Sequence, residues 1–175
     1  METAKGPDSN HEKTLINMID QYQIALLQMC YMYLHDKALA EDAVQETFLK
    51  AYKSMNAFRG DCSEKTWLMR IAVNTCRDMR RSAWFRHVDQ KVEIEDIQSP
   101  ALQIDEDDDA EDVAFAVVKL PAKYKEVILL YYYQDMTLKE IADALGIGVS
   151  SVSERMKTAR AKLRKGLEKE GAYGR

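Results

Sequence analysis

The sequence predicts an all-α protein made of two small helical domains joined by an acidic flexible linker. Three observations predict this fold class. Only 7 glycines and 3 prolines occur among 175 residues, so long stretches lack helix-breaking residues. Apolar side chains recur every three or four positions near both ends of the chain, as in amphipathic helices. Net charge is −1 over residues 1–80, −8 over 81–115 and +5 over 116–175, and such shifts mark domain boundaries.

These observations divide the chain into four parts. We expect a disordered N-terminus over 1–11, a helical domain over 12–82, an acidic linker over 83–112 and a second helical domain over 113–175. The linker contains the run Asp105 to Asp109, whose crowded like charges disfavour a packed core.

Composition excludes several classes of protein. No apolar run approaches the roughly 20 residues of a membrane span, and the N-terminus lacks the apolar stretch of a signal peptide. We therefore expect a cytoplasmic protein with no membrane contact of its own. Its three widely spaced cysteines, Cys30, Cys62 and Cys76, suit neither a disulfide framework nor a metal motif. We expect no cofactor and no metal.

An enzyme is not expected either. The sequence has no P-loop, no HExxH motif and no recognisable catalytic triad. The alternative hypothesis is a metal-dependent enzyme that uses Asp105 to Asp109. Consecutive acidic side chains point in different directions, however, and no glycine-containing calcium-loop pattern follows them.

The first domain begins with two predicted helices, over 12–34 and 38–55. The second helix has an apolar side that includes Phe48 and Leu49. Its other side is polar and acidic, with Asp42, Gln45 and Glu46. Read alone, this polar side is an ordinary solvated surface.

The third helix of this domain, over 64–82, is predicted to be capped by Ser63 after a turn at Gly60. One side of it is apolar. The other side carries basic groups and an amide at steps of four, three and four: Arg70, Asn74, Arg77 and Arg81. Arginine suits phosphate and asparagine can pair with a base edge. A solvated basic helix explains this pattern equally well.

The second domain has the pattern of a helix-turn-helix over 137–169. Pro121 opens a helix that runs to about residue 134. A capping box, Thr137 to Glu140, begins the next helix, and Gly146 ends it in a left-handed turn. A second capping box, Ser151 to Glu154, is predicted to begin the last helix.

That last helix is strongly basic. Six basic residues and no acidic one lie between Arg155 and Lys165. A recognition helix in the major groove uses such residues to clamp phosphates, and short polar side chains near its start to read bases. A three-helix bundle with a charged surface is the alternative interpretation.

Four segments together resemble a known family. Residues 40–52 and 58–74 are similar to region 2 of bacterial RNA polymerase sigma factors. Residues 120–130 and the helix-turn-helix are similar to region 4. The match is to the extracytoplasmic-function (group four) class, which keeps only these two domains. The resemblance implies a protein that binds core RNA polymerase, directs it to promoters, initiates transcription there and helps to melt the DNA.

The resemblance also implies roles for individual residues. The residues expected at the minus-ten element are Phe58, Arg59, Asp61, Trp67, Arg70, Asn74, Arg77, Arg80 and Arg81. Those expected at the minus-thirty-five element are Ser151, Ser153, Glu154, Arg155, Lys157 and Arg160. Those expected on the clamp helices of core polymerase are Asp42, Gln45 and Glu46. Two alternatives stay open, because Trp67 is equally a core residue and Glu154 is more simply part of the capping box.

A regulatory partner is implied as well, since proteins of this class are commonly held inactive by an anti-sigma factor. The acidic linker would let the two domains pack around such a partner or spread on polymerase. The competing hypothesis is a stand-alone helix-turn-helix regulator. That hypothesis explains residues 120–170 but leaves the segments 40–52 and 58–82 without a role.

Overall fold

The computed structural model describes residues 7–82 and 108–170, and this part of the chain is helical, without a strand. Its helices are α1 (Pro7–Leu34), α2 (Lys37–Ser54), α3 (Glu64–Arg81), α4 (Asp108–Val118), α5 (Ala122–Ile128), α6 (Leu138–Leu145) and α7 (Val149–Glu170). A short 3-10 turn, Met55–Ala57, follows α2, and a π-helical turn, Leu129–Tyr133, follows α5. Within these described ranges no helix is both long enough and apolar enough to cross a membrane.

In the N-terminal domain, α1, α2 and α3 pack against one another. Side-chain caps fix where two of these helices begin. The Asp36 carboxylate accepts the Leu39 N–H at 2.8 Å, and the Ser63 hydroxyl oxygen accepts the Thr66 N–H at 3.1 Å. The cap at Ser63 is thus confirmed, and it sets the register in which α3 presents its basic side.

In the C-terminal domain, α6, the turn at Gly146 and α7 form the helix-turn-helix. The capping box is present: the Thr137 hydroxyl accepts the Glu140 N–H, and the Glu140 carboxylate accepts the Thr137 N–H. The Glu140 carboxylate accepts hydrogen bonds from both the N–H and the hydroxyl of Thr137, and these bonds to its charged form lower the pKa of Glu140. Gly146 has φ 66°, and its N–H bonds back to the Ala142 carbonyl, so glycine ends α6 as expected.

Two helices begin earlier than the predicted domains. α1 begins at Pro7 rather than 12, and proline suits the first turn of a helix because its missing N–H needs no partner there. α4 begins at Asp108, within the predicted linker. Acidic residues are favourable in a first helical turn, where they interact with the positive end of the dipole. Residues 83–107, the rest of the predicted linker, lie outside the described residues, as do 1–6 of the predicted disordered N-terminus.

The second predicted capping box is wrong. α7 begins at Val149, so Ser151 lies inside the helix and cannot cap it. The Gly148 carbonyl accepts the Val152 N–H at 3.1 Å, which puts glycine, an acceptable capping residue, at the start. Glu154 is exposed in the second turn of α7 rather than tied to a cap.

The two domains lie against each other. α3 packs against α6, and α1 contacts both α5 and the π-helical turn. The buried apolar side chains of the two domains form one contiguous cluster, which includes Leu26 and Leu68 on one side and Leu130 and Ile141 on the other. The chain is therefore in a closed arrangement, and this arrangement decides where its candidate DNA-binding groups lie.

Candidate nucleic-acid interface and domain seam

The basic side of α3 faces the C-terminal domain. Arg70 donates from Nε and Nη2 to the backbone carbonyl of Asp143, at 3.0 and 2.6 Å. Asp143 lies in the last turn of α6, where carbonyl groups lack partners within the helix and the dipole is negative. An arginine of one domain thus caps a helix of the other.

A partly buried ion pair lies farther along α3. Arg77 donates from Nε to Oε1 of Glu126 at 2.8 Å and from Nη2 to Oε2 at 2.7 Å. The Tyr33 hydroxyl donates to the same Oε1 at 2.9 Å. Glu126 is only 3% exposed. The hydrogen bonds to Glu126 raise the pKa of Arg77, and burial beside this carboxylate raises the pKa of Tyr33.

A second polar contact joins the domains beside this pair. The Lys125 ammonium lies 2.8 Å from Nε2 of His35, which accepts its proton. Burial lowers the pKa of His35 to about 3, and the positive charges of Lys125 and Arg80 act in the same direction. His35 is therefore neutral near pH 7, as this contact requires.

Backbone groups complete the contact. The buried Gln134 side chain donates from Nε2 to the Ala25 carbonyl of α1 at 3.1 Å. The Gln134 backbone carbonyl in turn accepts a hydrogen bond from Lys65 of α3. We call this whole contact the domain seam. It comprises Ala25, Tyr33, His35, Lys65, Arg70 and Arg77 of the N-terminal domain, and Lys125, Glu126, Gln134 and Asp143 of the C-terminal domain.

A pocket of about 340 Å³ opens at the seam. Both domains contribute cationic side chains to its lining: Arg77, Arg80, Arg81, Lys123 and Arg155. Tyr33, Ala122 and Glu126 complete the lining, so Glu126 is its one acidic residue. Closure therefore gathers five positive charges around one carboxylate.

The other residues expected at the minus-ten element are distributed around the start and the exposed side of α3. Asn74 is exposed and accepts a hydrogen bond from Arg77 Nη1 at 3.3 Å. Arg59 and Asp61 are exposed on the loop before α3. Trp67 is 9% exposed and stacks on Phe58, with ring centroids 4.7 Å apart. In this arrangement Trp67 is a core residue, one of the two alternatives left open above.

The residues expected at the minus-thirty-five element lie along α7. Five of them are exposed: Ser151, Ser153, Glu154, Lys157 and Arg160. Arg155 is half-buried and lines the seam pocket. Arg160 donates from Nε to the Tyr132 hydroxyl at 3.0 Å. The start of α7 is thus exposed, while Arg155 lines the seam pocket and Arg160 contacts Tyr132.

The polar side of α2 keeps the expected groups at the surface. Asp42 and Gln45 are exposed, and the half-buried Glu46 lies 3.8 Å from Lys50. Leu49 is 46% exposed, contrary to its predicted place on the apolar side. Leu49 follows Asp42 by seven residues, two helical turns, and so lies on the same side of α2. This side is therefore an acidic surface with an apolar group on it.

Sequence reasoning missed the residues that hold the seam together on the C-terminal side. Lys125 and Glu126 are 3% exposed each, although charged residues are rarely buried unless paired. The sequence offers one weak signal for them, a pair of opposite charges next to the apolar run that begins at Val127. Their partners Tyr33, His35 and Arg77 are more than forty residues away in sequence, so no local pattern connects them.

Comparison with known proteins gives consistent results. The Sigma-70 region 2 family matches residues 18–86, and the Sigma-70, region 4 family matches residues 116–165. The ECF RNA polymerase sigma factor SigW of Bacillus subtilis is 32% identical over 163 residues, covering 86% of this chain and 87% of its own. The ECF RNA polymerase sigma factor SigL of Mycobacterium tuberculosis is 33% identical over 177 residues, covering 98% of each chain.

A solved structure is similar over the same extent. CnrH, solved in complex with the cytosolic domain of CnrY, is 26% identical, with a TM-score of 0.68 and 92% of each chain covered. The order of the two matched regions agrees with the two helical domains described above. SigL and CnrH match over nearly the whole chain, so the similarity includes both domains.

Proposed function

The chain belongs to the extracytoplasmic-function class of RNA polymerase sigma factors, and from this premise we propose how its residues serve promoter recognition. In this proposal α3 and the loop before it hold the minus-ten element, and α7 reads the minus-thirty-five element. The observation that carries the proposal is the presence of two polar, basic helices on two separate domains. One such helix alone would suit an ordinary repressor as well.

The assignment of α7 is supported by the groups at its start. Ser151, Ser153 and Glu154 are exposed in its first two turns, the part of a recognition helix that meets base edges. Lys157 is exposed one turn farther on and is suited to a phosphate. Since Ser151 does not cap the helix, Glu154 is available to accept a hydrogen bond from a cytosine.

The assignment of α3 is supported by Asn74 and by the arginines around it. Asn74 is exposed, and an exposed amide can pair with a base of a melted strand. Arg59 and Arg81 are exposed near the two ends of this surface and would hold the phosphate backbone. Arg70 and Arg77 reach DNA in this proposal only after the domains separate.

We further propose that the acidic side of α2 docks on core polymerase and that an anti-sigma factor controls the protein. The exposed Leu49 among acidic groups supports protein docking, because interfaces bury an apolar centre within a polar rim. The similar protein CnrH, solved with the cytosolic domain of CnrY, supports a protein partner. The protein then acts in the cytoplasm as a non-catalytic subunit, with polymerase supplying the chemistry.

A footprinting experiment separates this proposal from the stand-alone regulator. A panel of promoter fragments is digested in the presence of core polymerase, the protein, or both. We expect protection at two separate stretches only when both are present, and weaker protection as salt rises. Specific protection of a palindromic site by the protein alone, together with a stable dimer in light scattering, would instead establish the regulator.

A further inference from the structure

The closed arrangement occupies groups that the proposed function assigns to DNA. Arg77 is held by Glu126 through two hydrogen bonds, and Arg70 is held by the Asp143 carbonyl. Both arginines lie on α3, and both of their partners lie in the other domain. In this arrangement the Nε and Nη2 groups of both guanidinium groups already donate to the other domain and must leave those partners before they can bind a phosphate in the same way.

The chemistry of the Glu126 contact is that of a phosphate contact. Its two carboxylate oxygens accept from Nε and Nη2 of Arg77 at 2.8 and 2.7 Å, a bidentate geometry. A DNA phosphate presents two oxygens to a guanidinium in the same way. Only one of the two anions can occupy Arg77 at a time, so closure and phosphate binding exclude each other at this residue.

The positive charge around the seam pocket is offset by this one carboxylate. Arg80, Arg81, Lys123 and Arg155 line the same pocket, and their mutual repulsion opposes closure. Glu126 is the single acidic residue of the lining, and it is nearly fully buried. Loss of its charge would remove the attraction that offsets this repulsion and leave a partly buried arginine without its partner.

We propose that the domain seam is an autoinhibitory contact in which Glu126 takes the place of a DNA phosphate on Arg77. The closed chain holds Arg70 and Arg77 of α3 against the other domain, and separation of the domains frees both for DNA. In the closed arrangement, the surface around Glu126 therefore binds α3 of the same chain. The proposal rests on the DNA-contacting role proposed above for α3, and it adds a mechanism by which the free protein is kept from binding DNA.

The test uses the full chain with the substitution Glu126→Gln, which keeps the size of the side chain and removes its charge. Two quantities are measured without polymerase: the radius of gyration by small-angle X-ray scattering, and the affinity for a fluorescent single-stranded DNA of random sequence. We expect a larger radius of gyration and roughly tenfold tighter DNA binding, since breaking a buried ion pair strongly destabilises closure.

Glu168→Gln is the matched control, because it removes the same charge from an exposed position of the same domain. It should match the wild-type protein in both measurements.

Tyr33→Phe is a second variant. It keeps the ion pair but removes the third hydrogen bond to Glu126, so a smaller change in the same direction is expected. If the circular dichroism of Glu126→Gln shows that it has lost its helices, the test rests on Tyr33→Phe alone. In that case, wild-type compactness and DNA affinity of Tyr33→Phe would overturn the proposal.

The two measurements also separate this proposal from the proposed function. A Glu126→Gln chain as compact as the Glu168→Gln chain overturns the proposal whatever the protein does on promoters. An expanded chain with unchanged DNA affinity overturns it too, because α3 would then be exposed without gaining a phosphate contact. Failure of the promoter footprint would refute the proposed function. The measured effect of Glu126→Gln on the compactness of the chain would still stand.

Discussion

At the scale of single residues, His35 makes closure sensitive to pH. Its pKa is about 3 in the closed chain, where it is half-buried near the positive charges of Lys125 and Arg80, against an ordinary value near 6.5. The neutral form therefore favours closure. This contribution is fully present above pH 6.5 and is lost as the pH falls from 6.5 toward 3, because only the separated domains readily bind the proton.

We expect acidification from pH 7.5 to 5.5 to shift the equilibrium about tenfold toward separated domains, as the linkage relation gives for one such group. Small-angle X-ray scattering at the two pH values measures this shift. The His35→Asn chain should show much less change, and asparagine tolerates the left-handed backbone at this position, where φ is 57°. An equal response in both chains would show that other groups cause the opening.

At the scale of elements, the α2 surface predicts where core polymerase binds. Leu49→Gln should weaken the affinity for core polymerase by roughly tenfold, because an apolar group at an interface centre contributes more than the polar rim. Stability should change little, since Leu49 is 46% exposed. Binding is measured by fluorescence anisotropy of labelled protein titrated with core.

Ile16→Gln is the control for this prediction, as it replaces an exposed apolar residue on α1 by the same polar one. Equal affinities of the two variants for core would contradict the assignment of the α2 surface.

The helices themselves could largely be predicted from the sequence, because their signals are local. Ser63, Thr137, Glu140 and Gly146 act within one turn of the helix ends that they define, and each does what the sequence predicts. The cap predicted at Ser151 failed for a local reason as well. Gly148 provides an earlier start, and the three serines in the first turns of α7 suit either a cap or a DNA-facing surface.

The packing of one element on another could not be predicted in this way. The sequence indicates that one side of α3 is basic, but the same pattern suits solvent, DNA or a protein surface. Arg70 and Arg77 contact the other domain through a carbonyl group and a carboxylate more than forty residues away. Only the three-dimensional arrangement brings Glu126 to Arg77, which is why the sequence did not reveal the seam.

At the scale of the whole molecule, one chain has two uses for the same surface. With the domains closed, three arginines of α3 and Arg155 of α7 line the seam pocket. In the proposed open form, both helices face promoter DNA at two distant elements. Such a change requires a partner that binds the separated form better than the closed one, and core polymerase with promoter DNA meets this requirement in our proposal.

The measurement that tests the central claim most directly is run-off transcription from a panel of promoters, with core polymerase in the presence and absence of the protein. We expect specific transcripts only when the protein is added. Asn74→Ala and Arg155→Ala should each reduce them roughly tenfold or more, as expected for loss of a base or phosphate contact. Lys169→Ala, an exposed cation about 20 Å farther along α7, should leave them unchanged. No specific transcript, together with no co-elution of the protein with core polymerase, would contradict the account.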